Sequence, residues 1–76
     1  MLATLSAGGQ YTLTQNVAYA LPPSLNFIQS SVAVETSLDN STYAALTGAN
    51  TTGVNTAAPF VRCTTGTAIV SVKRVG

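Results

Sequence analysis

Phe60-Val61-Arg62-Cys63-Thr64-Thr65-Gly66-Thr67-Ala68-Ile69-Val70-Ser71-Val72-Lys73-Arg74-Val75 reads as two β-strands folded about a Thr-Thr-Gly-Thr turn. In the second strand Ala68, Val70 and Val72 fall on one face and Ile69, Ser71 and Lys73 on the other, with β-branched residues abundant. The reading is a terminal hairpin that the rest of the chain must cover. Both faces carry apolar side chains, Val70 and Val72 on one and Ile69 and Val75 on the other. One face is therefore expected to close the chain's own core. The other, ending in Lys73 and Arg74, is expected to meet a neighbouring subunit.

Upstream, the same period of two recurs in short pieces. Leu2 to Ser6 reads as a first strand, ended by Ala7-Gly8-Gly9, whose glycines permit a tight turn. Gln10 to Thr14 reads as a second, with Tyr11 and Leu13 on one face, and Gln15-Asn16 as the turn after it. Val17 to Leu21 repeats the alternation with Val17, Tyr19 and Leu21 inward, and Pro22-Pro23 stops it because proline cannot donate to a sheet ladder. Leu25 to Val34 is longer and changes register, which predicts a bulge near Phe27 or Ile28. Glu35 to Ser41 reads as a polar connection. Thr42 to Leu46 could be a strand or a helical turn capped by Asp39 or Ser41. Gly48 to Thr56 reads as an exposed loop, and Pro59 introduces the terminal hairpin. Short strands at this spacing predict an all-β fold, a small single-domain β-sandwich or barrel of about six antiparallel strands spanning residues 1–76.

Composition narrows what such a fold can do. A chain of 76 residues sits near the size at which one hydrophobic core needs reinforcement. A single Cys cannot form an intrachain disulfide, and the chain has no His, so an ordinary zinc site is not expected. Self-association remains as the staple. Only 7% of residues are charged and 46% are hydrophobic, which leaves few charges to keep an isolated protomer apart from its copies. The net charge of +1 offers no field to gather nucleic acid or an anionic membrane. No basic region leads a long apolar one at the N-terminus, and no run approaches the length of a bilayer span, so synthesis in a cytoplasm is expected, with no membrane partner.

Catalytic chemistry has little to stand on. Ser-His-Asp and Cys-His arrangements need a base, and histidine is missing. Glu35 and Asp39 lie on a connection that gives them no common face. Cys63, mid-strand between Arg62 and Thr64, reads as a small buried apolar residue. Lys73-Arg74 reads as edge protection or as ion-pair partners for another subunit. The tyrosines and phenylalanines lack the basic groove that single-strand binders place beside such rings. The chain is thus expected to be no enzyme, to need no cofactor or metal, and to have no nucleic-acid partner. Tyr43, Asn50, Thr51, Thr52, Phe60, Arg62, Ile69, Lys73, Arg74 and Val75 are the interface candidates.

Two stretches carry a resemblance. Gly9-Gln10-Tyr11-Thr12-Leu13-Thr14 running into Val17-Ala18-Tyr19-Ala20-Leu21-Pro22, and the Phe60 to Lys73 segment, frame a Thr-rich middle. Together they resemble very small β-rich structural proteins of tailed bacteriophages. The resemblance covers about half the chain; Glu35 to Ala58 lies outside it. It implies a virion component on the capsid surface, a decoration or cement protein that stabilises the major capsid lattice. Its partners would be the major capsid protein and further copies of itself, as a homotrimer or higher homo-oligomer. Two rivals are a fibre or tail-associated module that binds a host surface and a small cytoplasmic regulator that binds a partner through its edge strand.

Overall fold

The computed structural model describes residues 2–76. Its strands are β1 (Ala3–Thr4), β2 (Gln10–Leu13), β3 (Tyr19–Ala20), β4 (Asn26–Ser30), β5 (Val34–Ser37), β6 (Tyr43–Ala45), β7 (Val54–Thr56), β8 (Phe60–Cys63) and β9 (Ala68–Arg74). They form two sheets, one ordered β1-β3-β8-β5-β6 and the other β2-β9-β4-β7. The fold is all-β, a small sandwich, with nine strands among the described residues in place of the roughly six expected. One pair departs from the antiparallel expectation, because β1 runs parallel to β3.

β9 is the longest strand and keeps the alternation its sequence predicts. Ala68, Val70 and Val72 are buried, while Ile69 and Lys73 face solvent. The strand is flanked on both sides, by β2 from Gln10↔Ser71 to Leu13↔Ala68 and by β4 from Asn26↔Arg74 to Ser30↔Val70. Its predicted hairpin partner is elsewhere. β8 lies in the five-stranded sheet, between β3 and β5. Thr64 to Thr67 is therefore an arch that carries the chain from one sheet to the other. The physical reason is that Val61 and Cys63 on β8 and Val70 and Val72 on β9 are all buried, and two facing sheets enclose all four in one core. Paired side by side, the two strands would form a single layer with nothing opposite it.

Other departures have similar causes. Val17 lies outside β3 and is 44% exposed, so the inward set of that segment shrinks to Tyr19 and Leu21. The expected bulge at Phe27 or Ile28 is not there, since the β4 to β9 register runs unbroken. The register change comes instead from two buried polar residues that share the face of Ile28. Asn26 donates from Nδ2 to the carbonyls of Pro22 at 2.9 Å and Ser24 at 3.3 Å, and Ser30 Oγ donates to Val32 O at 2.7 Å. The chain changes sheets just after Ser30. Glu35 to Ser41 is a connection only in its second half, because Val34–Ser37 forms β5 against β8 and β6. Thr42 to Leu46 contributes a strand, β6, rather than a helical turn. The expected loop from Gly48 to Thr56 ends in β7, and its Ala49 is fully buried with a carbonyl that accepts from Ser30 N at 2.7 Å. Cys63 is buried as expected and unpaired.

Candidate interaction surface

β8 and β5 are antiparallel neighbours whose register sets Arg62 opposite Glu35. Since Val61 and Cys63 point into the core, Phe60 and Arg62 must point out of it. Arg62 Nε donates to Glu35 Oε1 at 3.0 Å, and the guanidinium lies over the Tyr43 ring, 4.0 Å from its centroid. Tyr43 reaches this position from β6, where it sits opposite Ser37, and its hydroxyl donates to Asn40 Oδ1. Burial pushes the Tyr43 phenol up, with the Arg62 charge working the other way, so the ring is a neutral donor at neutral pH. The pair is about a third exposed, and its net contribution to folding is small, ~1 kcal/mol or less. What it does is hold a long side chain still. Among the described residues the guanidinium spends only Nε on hydrogen bonding, and its outer nitrogens stay available to a partner.

A second feature occupies one end of the sandwich. The turn after β5 folds around Asp39, whose Oδ1 accepts from Ser37 Oγ, Ser41 N and Thr42 N, each at 2.9 Å. The N–H groups of Thr42 and Ser41, followed by the Ser37 hydroxyl, hold the Asp39 carboxyl below the usual aspartate range, and it is charged at neutral pH. This cap fixes a turn from which Leu38 projects with 81% of its surface exposed. Beside it runs an open groove of about 520 Å³ lined by Thr36, Ser37, Leu38, Asp39, Thr42, Ala44 and Thr56 to Ala58. The same end carries more apolar surface. Val75 N and Gly76 N both donate to Leu25 O, and Leu25 and Val75 are themselves exposed.

The expected interface residues fall into separate groups. Tyr43, Phe60 and Arg62 come together on the outward face of the five-stranded sheet. Lys73, Arg74 and Val75 lie at the end of β9, near the groove. Asn50, Thr51 and Thr52 are exposed at the opposite end, on a turn closed by Gly53 N and Thr51 N donating to Gly48 O. Ile69 is exposed at that same far end, its N–H donating to Ser31 Oγ at 2.9 Å. Leu38 is not among the residues the sequence singles out. The available signal was a lone large apolar side chain inside the polar run Glu35-Thr36-Ser37-Leu38-Asp39-Asn40-Ser41.

Among the described residues there is no group of three or more His, Cys, Asp or Glu side chains placed to hold a metal ion. Arg62 and Glu35 are paired with each other and Asp39 is hydrogen-bonded into its turn, while Lys73 and Arg74 have no acidic side-chain partner among the described residues. No protein family model, curated protein or solved structure matches this chain.

Proposed function

We propose that this chain is a bacteriophage virion structural protein that decorates the capsid surface and cements the major capsid lattice. The observation that carries the reading is the outward face of the five-stranded sheet. There Tyr43, Arg62 and Glu35 are locked to one another and Phe60 lies half-buried beside them. A rigid aromatic next to an arginine with spare donors is the composition that anchors protein interfaces. The mechanism is mass action. A small protein that binds the assembled lattice and not its free subunits lowers the free energy of the assembled state, and self-association multiplies weak contacts into avidity. The Thr-rich turn at Asn50, Thr51 and Thr52 supplies a second, polar contact at the far end.

Copy number tests this reading against its rivals. Quantitative gel analysis of purified virions is expected to find on the order of hundreds of copies, as lattice symmetry requires of a cement protein. Capsids assembled without the protein are expected to release their genome at lower temperature. A few tens of copies would instead favour a fibre or tail component. A virion with no such band would leave the cytoplasmic regulator.

A further inference from the structure

We propose that β2 is a self-association edge, where two copies of this chain pair their β2 strands antiparallel about a two-fold axis at Tyr11 and join their four-stranded sheets into one. The inference goes beyond the capsid reading and does not depend on it. It rests on the backbone groups of one edge strand, in the sheet that does not contain Tyr43 and Arg62.

Hydrogen bonding comes first. β2 borders the four-stranded sheet and pairs only with β9. Val72 N donates to Gly9 O at 3.0 Å, so Gly9 faces β9, and by the alternation of an antiparallel ladder Tyr11 and Leu13 face it too. The N–H and C=O groups of Gln10 and Thr12 therefore point away from the sheet, and no group among the described residues bonds to them. Such a row is completed by another extended strand. What selects a second copy is self-complementarity. Centred on Tyr11, an antiparallel pair sets Gln10 of each copy opposite Thr12 of the other, and every free group of both strands is used. Centring on Gln10 would set Thr12 against Gly8, whose N–H already donates to Val72 O, and centring on Thr12 would set Gln10 against Thr14, whose N–H already donates to Tyr19 Oη. The Tyr11-centred contact is isologous and closes at two copies. It differs from the trimer expected from sequence.

The edge is unguarded, and it is bounded. Natural edge strands are protected by charge, by proline or by brevity. The first charged side chain in the sequence is Glu35, so β1, β2 and β3 carry none, and Gln10–Leu13 holds no proline. Gln10 and Thr12 are exposed, and their neighbours on β9, Ser71 and Ile69, add no charge. The other edges are shorter. β1 has two residues and β7 three, and β6 has three with Glu35 opposite Ala45 on the adjoining strand. Bounds come from the turns on either side of β2. Gly8 N and Gly9 O both bond to Val72, a bulge that ends the ladder at one end, and Asn16 N donates to Cys63 O at the other. Tyr11 stiffens what lies between, since its hydroxyl accepts from Ser6 N at 2.9 Å and donates to Ser6 O at 3.2 Å. Its ring lies back over Gly9, along its own strand, and leaves the side of β2 open. An edge so fixed loses little conformational entropy on pairing.

Sedimentation equilibrium and amide hydrogen exchange of the full chain test this. The wild type is expected to dimerise as concentration rises, and the Gln10 and Thr12 amides to become protected as it does. Ala45 is the internal control. Leu46 N donates to Val34 O, which turns the Ala45 amide outward on the edge of the other sheet, and that amide should exchange fast throughout. The double variant Gln10→Lys, Thr12→Lys sets like charges opposite each other across the axis and is expected to weaken dimerisation by about tenfold or more. Gln10→Lys, Thr12→Glu changes the same two positions but sets opposite charges across the axis, and should restore the dimer. A wild type that stays monomeric, a trimer or an open-ended fibre would each overturn the proposal. So would a dimer whose Gln10 and Thr12 amides stay unprotected, or one that both double variants weaken equally. Lattice binding is measured separately, so its failure would leave this result standing.

Discussion

Gly53→Ala is expected to lower stability by about 2 to 5 kcal/mol, a large share of what a chain this size possesses. Two costs add at this position. Gly53 has φ of +90°, in the region a Cβ disfavours, and that Cβ would stand 2.7 Å from Phe27 Cε2 and closer still to Cζ. The backbone of Phe27 is fixed on β4 between Asn55 of β7 and Lys73 of β9, so relief requires its half-buried ring to leave the glycine and lose that packing. Gly66→Ala is the internal control. Gly66 also has positive φ, +58°, but a Cβ there meets nothing within 4 Å. Only the backbone cost applies, about 1 to 2 kcal/mol. Urea denaturation of both variants measures the difference. Phe27→Leu in the Gly53→Ala background should recover part of the loss, and equal effects from the two glycines would show that the ring does not pack on Gly53.

Ile28→Ala and Ile69→Ala remove the same atoms from opposite faces of the four-stranded sheet. Ile28 is fully buried between the sheets, whereas Ile69 is 48% exposed. Truncating the first should cost about 2 to 5 kcal/mol through lost transfer energy and a cavity that neighbouring strands cannot collapse. Truncating the second should change stability by about 0.5 kcal/mol or less. At roughly 4 to 8 °C per kcal/mol for a domain of this size, thermal melts resolve the contrast easily. Similar losses for both would mean that the outward face of β9 is packed as tightly as the inward one, contrary to the sandwich.

The two results probe what was legible from sequence and what was not. The burial pattern of β9 was readable because its period of two is uninterrupted. Its partner was not. Thr64-Thr65-Gly66-Thr67 signals a reversal of direction, and an arch between sheets reverses the chain as well as a hairpin does. Deciding between them requires counting apolar faces against available cover, and that depends on strands far away in the chain. β5 was unreadable for a related reason. Its Glu35 looks like a loop residue until Arg62, 27 positions on, is placed opposite it. Asn26 and Ser30 concealed the inward face of β4, since buried polar residues mimic a register slip unless their hydrogen bonds are known. Asn26 pays for this: its Oδ1 is buried with no partner among the described residues.

The candidate surface was legible as residue types and not as an arrangement. Tyr43, Phe60 and Arg62 stand out in a chain with few aromatics and few charges. Only the register between β8, β5 and β6 shows that Arg62 lies over Tyr43 while it pairs with Glu35. Leu38 shows the opposite limit. It projects from a capped turn beside an open groove, and neither has a signature in the local sequence.

The most direct test of the functional claim is cosedimentation of the purified protein with capsids assembled in its absence, alongside unassembled capsid subunits. Saturable binding to the assembled lattice, none to free subunits, and a loss of about 10- to 100-fold in the double variant Tyr43→Ala, Arg62→Ala are the predicted results. Absence of saturable lattice binding, or equal binding to free subunits, would contradict it.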